Sequence, residues 1–492
     1  MQQQTFLAFD LGAESGRAIL GLLSDRKIRL REMARFPNGM LMLLGSWRWN
    51  VFRLYEEMIR ALKRCSVDSS VLPSSMGVDT WGVDFGLLGS DGSLLGLPYA
   101  YRDARTQGIM EKVFARFPRD RVYALTGIQF LRFNSLFQLY AMRQAESPLL
   151  CQAQDLLFMP DLFHYFLTGN KATEFSYATT SQLFNPATRA WEPELFSLLD
   201  LPLSMMQPVT EPGSVIGVLC PDLARETGLG EIPVVAVATH DTASAVAAVP
   251  AEGSGWSYIS SGTWSLMGIE VDAPIINARA RELNFTNEGG VAGTFRFLKN
   301  ITGLWLLQAC RRVWSDADSA TYEDLEKSAE EAAAFRSLVD PDDEAFLNPR
   351  DMPHAIREYC RRSRQAVPDT VPAVVRCILE SLALKYRYVL DQLRSLSPQP
   401  IERIHIIGGG SRNRMLCQFT ANACGLPVIA GPAEATAAGN ILVQALSQEE
   451  VEDLSDIRRI VRRSFRLTAY EPQDTGDWNN AFDRFSDFLT GG

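Results

Sequence analysis

Histidine is scarce in this chain, four in 492 residues, and its eight cysteines include no Cys-x-x-Cys pair. Zinc sites of the usual spacing are therefore not expected, and the thiols read as buried, reduced core residues. Whether a pair such as Cys360 and Cys377 meets is left to the fold. Gly-Lys-Ser/Thr is absent, so there is no Walker A loop, and without Gly-x-Ser-x-Gly or His-Glu-x-x-His the hydrolase and zinc-protease readings lose their usual support. Asp84-Phe85-Gly86 imitates a protein-kinase triplet but has no His-Arg-Asp companion, and reads as strand. An excess of positive charge is also lacking: the formal net charge is -10. No nucleic-acid or membrane partner is expected, although a local cationic pocket for a phosphorylated ligand stays open. Long apolar runs are few. Residues 232–251 come nearest to a membrane span, yet His240-Asp241 falls at the middle, where a charge is costly. The amino-terminal MQQQTFLAFDLG has no basic flank or cleavage site, which points to a cytoplasmic chain.

What is present suits a globular protein, 46% hydrophobic and 22% charged. Its length exceeds one ordinary core, so two large domains are expected, 1–250 and 251–492. Val234 to Ala248, VVAVATHDTASAVAA, reads as a buried strand running into a helix of small residues. The polar cluster Thr239-His240-Asp241-Thr242 lies at the strand's carboxyl end, where open α/β sheets place their ligands. Asp241 is either a base beside His240, or it or Thr242 N-caps the helix. Phe6 to Asp10, the turn Leu11 to Gly16, and Arg17 to Leu23 form a hairpin; about 250 residues later Trp256 to Met267 repeats strand, Gly-bearing turn and strand. Two related halves facing a cleft follow from that repeat. Ile28 to Phe36, Ser75 to Thr80 and Val83 to Leu88 are further strands. Helices are expected at 51–64, over much of 105–185 including 156–167, and at 303–313, 372–393, 413–424 and 434–445. Ile404 to Ile407 is a buried strand leading to Gly408-Gly409-Gly410. The charged runs Asp340 to Glu344 and Arg458 to Arg463 read as solvated surface.

Gly- and Ser-rich turns present backbone N-H groups that a polyphosphate can approach closely, and two such turns would grip one nucleotide. Asp10, beside the first turn, suits a hydrated Mg2+, which uses one or two carboxylates; its plain alternative is an Asx-turn. The triple Gly offers a flat surface for a nucleobase and ribose.

The segments FLAFDLGAESGRAIL, GVDTWGVDFGLL, VATHDTASAV, SSGTWSLMG, NEGGVAGTFRFLKNITGLWLLQ and IIGGGSRNRMLCQFTANACGLPVIAGPAEATAAGN occur in that order. Together, over about residues 5–447, they resemble the FGGY carbohydrate kinases, and within that group they are most similar to those acting on L-rhamnulose. The resemblance implies two ribonuclease-H-like, actin-like ATPase domains of α/β class with an interdomain cleft. It also implies transfer of the ATP γ-phosphoryl group to the 1-hydroxyl of L-rhamnulose with Mg2+. By the same resemblance Asp241 is the catalytic base and Gly82, His240, Thr242 and Asn300 bind sugar. Ala13, Glu14, Ser15, Gly16, Arg17, Thr263, Gln308 and Gly409 fall where the family binds ATP. Another ketose kinase of the family, of fuculose or xylulose type, and an actin- or chaperone-like ATPase switch are the alternatives. Trp81, Phe85 and Phe133 are candidates for an apolar wall against the sugar's methyl group. The chain departs from the family pattern at Glu14, where Ser or Thr is usual, and Arg132 has no assigned place.

Overall fold

The computed structural model describes residues 3–67, 72–314 and 321–490. The chain divides into two compact units, one of Met1–Ala248, Glu270–Phe297 and Ala435–Ser464, the other of Val249–Ile269, Leu298–Glu434 and Phe465–Gly492.

In the first unit, β1 (Gln4–Leu11) is buried on both faces after its first residue, as its unbroken apolar run requires of a central strand. It pairs antiparallel with β2 (Ser15–Ser24), which pairs with β3 (Lys27–Pro37); on its other side it lies parallel to β4 (Ser75–Thr80). β5 (Ser214–Val218) and β6 (Pro233–Ala236) complete the order β5-β6-β4-β1-β2-β3, with β6 parallel to β4. A hairpin followed by parallel strands on its inner side is the ribonuclease-H-like arrangement that the resemblance implies. The helix Ala435–Ser447 docks on this sheet through buried amides: Gln444 donates to the Leu7 carbonyl and to Asn440 Oδ1, and accepts from Ser75 Oγ. Gly439 of this helix has no room for a side chain against the helix Asp241–Ala247.

The second unit repeats the plan. β7 (Trp256–Ser261) pairs antiparallel with β8 (Trp264–Val271) and parallel with β10 (Arg403–Ile407), within an order that includes β9 (Phe295–Thr302), β8, β7, β10, β11 (Val428–Ala430) and β12 (Thr468–Tyr470). The helix Val371–Arg394 starts at Thr370, whose side chain caps Ala373 N, with Pro372 in the first turn, and buries the whole apolar face read from the sequence.

Three expectations need correction. The segment 156–167 is not one helix: Asp155–Phe158 is a strand pairing with Phe85–Leu88, and the helix Met159–Thr168 begins beside Pro160, because a short apolar run alone cannot distinguish strand from helix. The acidic run at 340 is not simply solvated. Lys385 Nζ, nearly buried, sits 2.8 Å from Asp340 and 3.0 Å from Asp342, whose other oxygen accepts Thr302 N at 2.7 Å. Arg458 Nη2 likewise donates to both Glu270 carboxylate oxygens, at 2.9 and 2.8 Å, both side chains largely buried. Cys360 and Cys377 do meet, as hydrogen-bonded free thiols.

Candidate active site

The site in the first unit grows from the ends of three neighbouring strands. Asp10 stands opposite Arg17 in the β1–β2 hairpin and beside Asp79 in the β1–β4 pair. The Arg17 guanidinium pairs with the Asp10 carboxylate, and neither side chain is much exposed. Asp79 is fully buried; one oxygen accepts Asn440 Nδ2 at 2.6 Å and the other has no hydrogen-bond partner among the described residues. Burial first, and the Asp10 charge next, raise its pKa well above the usual carboxylate value.

Beyond β6 the backbone continues alongside β4, with Thr80 N donating to the Thr239 carbonyl at 2.9 Å and a bridge between Thr80 and His240. This register places His240-Asp241 next to Trp81-Gly82. Asp241 is the first residue of the helix Asp241–Ala247; the N-cap is His240, which makes no side-chain capping bond. The Asp241 carboxylate accepts from Thr242 N at 2.5 Å and Thr242 Oγ1 at 3.1 Å, leaving 32% of the side chain exposed. Crowding by protein atoms raises its pKa, opposed by His240 and reinforced by the Asp10 charge. A partly open carboxylate with a raised pKa fits proton acceptance from a bound hydroxyl.

His240 connects this acid to a buried ion pair. Its Nε2 lies 3.5 Å from Asp241 and its Nδ1 3.3 Å from Glu288 and 3.2 Å from Arg296 Nη2, while Arg296 and Glu288 are 3.2 Å apart. Arg296 has no exposed side-chain surface, and its Nε donates to the Gly289 carbonyl at 2.8 Å. Burial pushes Glu288 upward, but Arg296 and His240 outweigh it and hold the carboxyl below its ordinary value. Gly82 matters for space: a Cβ there would stand 3.2 Å from His240 Nε2. The Trp81 ring lies 4.1 Å from Trp49 at a tilt of 39°, Tyr101 lies 6.4 Å from Trp49, and Phe133 lies 5.4 Å from Tyr101. Asp84 ties this wall together, accepting from both indoles, Tyr101 N and Gln138, and burial lifts its pKa to about 6. Phe85 instead lines a separate small cavity with Arg48 and Arg105.

In the first hairpin Gly12 N donates to the Ser15 carbonyl, closing the turn over Ala13 and Glu14, and Asn38 braces it through the Gly12 and Glu14 carbonyls. Ser15 and Gly16 begin β2, where a Cβ on Gly16 would strike the Phe36 ring at 2.1 Å. Packing alone thus requires that glycine. Arg132 lies in a turn just before the helix Ser135–Gln144.

In the second unit, the Thr263 carbonyl accepts Gly303 N and Trp305 N at 3.1 Å each, so the second hairpin turn abuts the start of the helix Trp305–Val313. Gln308, one turn along, and Gly409 line a cavity of about 1100 Å³ with Gly262, Tyr322, Arg412 and Tyr470. Gln308 Oε1 is buried without a hydrogen-bond partner among the described residues, and nothing stands within 4 Å of a Cβ built on Gly409. Gly410 by contrast presses on Ser261, with 2.0 Å from a Cβ to its Oγ. Asn300 lies on β9, four residues beyond Arg296.

The N-terminal domain of the FGGY family of carbohydrate kinases matches residues 5–248, and its C-terminal domain matches residues 257–447. The chain belongs to the FGGY family of carbohydrate kinases. It is similar to a curated rhamnulokinase of Bacteroides thetaiotaomicron, 51% identical over 98% of this chain and 99% of that one. A rhamnulokinase of Pectobacterium carotovorum is 42% identical over 99% and 96%. Among solved structures, gluconate kinase and ligand-bound xylulose kinase of Lactobacillus acidophilus each superimpose with a TM-score of 0.82, at 16% and 15% identity, covering 100% and 99% of this chain and 98% of each of theirs. That likeness places this FGGY kinase in the actin-like ATPase fold. It is a carbohydrate kinase with ATP as co-substrate, and no helix among its described residues is long and apolar enough to cross a membrane.

Several groups of this FGGY kinase's site escape a sequence reading: Asp79, Glu288, Arg296 and Asn440. The one available signal was a charge inside an otherwise apolar strand pattern, as with Asp79 in SMGVDT and Arg296 between Phe295 and Phe297.

Proposed function

We propose that the chain transfers the γ-phosphoryl group of ATP to the 1-hydroxyl of L-rhamnulose, giving L-rhamnulose 1-phosphate and ADP. The observation that carries the chemistry is the carboxylate of Asp241, partly exposed at a strand-end helix start, its pKa raised, with His240 beside it. The likeness to curated rhamnulokinases over nearly the whole chain supports the sugar. In the step itself the C1 hydroxyl oxygen bonds to the γ-phosphorus, the bond to the β–γ bridging oxygen breaks, and the hydroxyl proton passes to Asp241.

Gly82, His240, Thr242 and Asn300 hold the sugar. Glu288 and Arg296 keep the His240 imidazole in place, and Trp81 with Phe133 offers the methyl group an apolar surface. Residues 1–250 supply the sugar-binding domain and the first phosphate turn, and residues 251–492 supply the nucleotide-binding domain. Ala13 to Arg17, including Glu14, Ser15 and Gly16, together with Thr263, Gln308 and Gly409, bind ATP; the unpartnered Gln308 oxygen and the open face over Gly409 support the latter pair.

The electrostatics fit a divalent cation. Asp10, Asp79 and Asp241 act on one another, with Arg17 and His240 as the opposing charges. That clustered negative charge suits Mg2+, which keeps its waters and takes one or two carboxylates, here Asp10. When bound it neutralises charge on the transferring phosphates. The protein acts in the cytoplasm.

A coupled ADP-release assay over a panel of ketoses tests the reading. L-rhamnulose is expected to give the highest kcat/KM, with ATP turnover negligible when sugar is omitted. Preference for L-fuculose or xylulose would replace the substrate, and full turnover without sugar would replace the kinase by an ATPase switch.

A further inference from the structure

The carboxylate of Glu174 is buried without exposed surface and receives five hydrogen bonds from two directions. From its own side, at the N-cap of the helix Phe175–Thr180, come Ser176 N at 2.7 Å, Ser176 Oγ at 2.5 Å and Tyr177 N at 3.3 Å. From the opposite side come Thr239 N at 3.0 Å and Thr239 Oγ1 at 2.7 Å, two residues before Asp241. The Ser176 hydroxyl then accepts His240 N at 3.3 Å. Three of the five donors are backbone N-H groups and the other two are the Ser176 and Thr239 hydroxyls, so the pocket aims five donors at the carboxylate, although burial still raises its pKa. Buried, fully satisfied networks of this kind fix a single local geometry.

We infer that Glu174 is a positioning residue for phosphoryl transfer: its carboxylate staples the Thr239-His240 backbone to the cap of a separate helix and so sets where Asp241 presents its oxygens. The inference rests on Asp241 being the base. A structural cap needs only the Ser176 and Tyr177 N-H groups, and a good N-cap is supplied by Ser, Thr, Asp or Asn. The longer Glu is the residue that spans from the cap to Thr239. Two further groups back it up: Glu174 N donates to Asp161 Oδ1 at 3.3 Å, and the Tyr177 hydroxyl donates to the Trp81 carbonyl at 2.9 Å, tying the same short helix to the segment that carries Gly82.

Ser176 N bonds one carboxylate oxygen and the other four donors converge on the second, so in Glu174→Gln an NH2 group facing Ser176 N breaks the cap bond, and the flipped amide breaks the bonds from Thr239 N and Tyr177 N. Full-length Glu174→Gln, Thr239→Val and Asp241→Asn enzymes are compared with the parent by ADP release with L-rhamnulose and Mg·ATP. All are assayed at one temperature well below the lowest Tm of the set, so that unfolded enzyme does not enter kcat. A misplaced reacting group costs up to about a hundredfold, and supporting partners about ten- to a hundredfold, so Glu174→Gln is expected to lose kcat in that range with KM for ATP unchanged within about twofold. Thr239→Val, which removes one donor and leaves the cap, is expected to lose kcat in the same direction but less, and it carries the test if Glu174→Gln does not fold. A merely structural role predicts lower Tm with kcat restored at matched temperature. Parent-like kcat in both staple variants while Asp241→Asn is inactive overturns this inference alone; parent-like kcat in Asp241→Asn overturns the base assignment and the inference with it.

Discussion

Gly439→Ala is a single methyl placed where the structure has no space for one. A Cβ on Gly439 would stand 1.8 Å from the Ser244 carbonyl oxygen and 2.6 Å from its carbon, both backbone atoms of the helix that begins at Asp241. Side chains can rotate away from such a clash; a helix backbone must move as a body. The contact would have to open from 1.8 Å to at least 3.4 Å to become ordinary. The helix Ala435–Ser447 is held by the Gln444 and Asn440 bonds to Leu7, Ser75 and Asp79, so the short helix carrying Asp241 is the one expected to yield. Overpacking of this kind costs about 1 to 3 kcal/mol, partly offset by up to about 1 kcal/mol from replacing a helical Gly with Ala. A net loss of about 1 to 2 kcal/mol in urea unfolding is therefore expected, with kcat lowered more than the stability loss explains, because the base moves with its helix. A Gly439→Ala enzyme with parent stability and parent kcat would refute the tight helix contact as the device that seats Asp241.

Two other outcomes follow. Gly82→Ala places a methyl 3.2 Å from His240 Nε2, and is expected to raise KM for the ketose at least about tenfold while leaving KM for ATP unchanged; unchanged sugar kinetics would remove Gly82 from the sugar site. His164 is buried and its pKa is pushed down to about 4 from 6.5, so the folded state binds its proton less readily than the unfolded chain and stability falls as pH drops from about 6.5 towards 4. The two values together give a loss of about 3 kcal/mol from this residue by pH 4, and His164→Gln is expected to flatten the acid side of the stability profile by about that amount; an unaltered slope between pH 7 and pH 4 would contradict it.

Much of the architecture was legible because it is written in local patterns. Both Gly-bearing hairpins, the buried strand Pro233–Ala236 that leads to the Thr239 cluster, and the apolar face from Val375 to Leu393 needed only periodicity and turn chemistry. Asp241 stood out because a charge at the carboxyl end of an apolar strand is conspicuous. Its supports did not. Glu174 reaches Thr239 across 65 positions, Arg296 reaches His240 across 56, and Asn440 reaches Asp79 across 361, and no local signal pairs residues so far apart. Asp340 and Asp342 looked like solvated charge because Lys385, their partner, sits on a helix whose apolar face dominates its pattern. The strand Asp155–Phe158 was hidden for a related reason: its pairing with Phe85–Leu88 is long-range, while its own four residues fit either period.

The most direct test of the central claim is phosphoryl transfer by Asp241→Asn, followed in single turnover with L-rhamnulose and Mg·ATP across pH 5 to 9. General-base assistance is worth about a hundred- to ten-thousandfold, so the variant is expected to fall by that factor at pH 7 with ATP affinity retained, and the parent to lose rate on acidification at a pH above that of an ordinary aspartate. Turnover by the variant near the parent rate, with the same pH profile, would contradict the assignment of Asp241 as the proton acceptor.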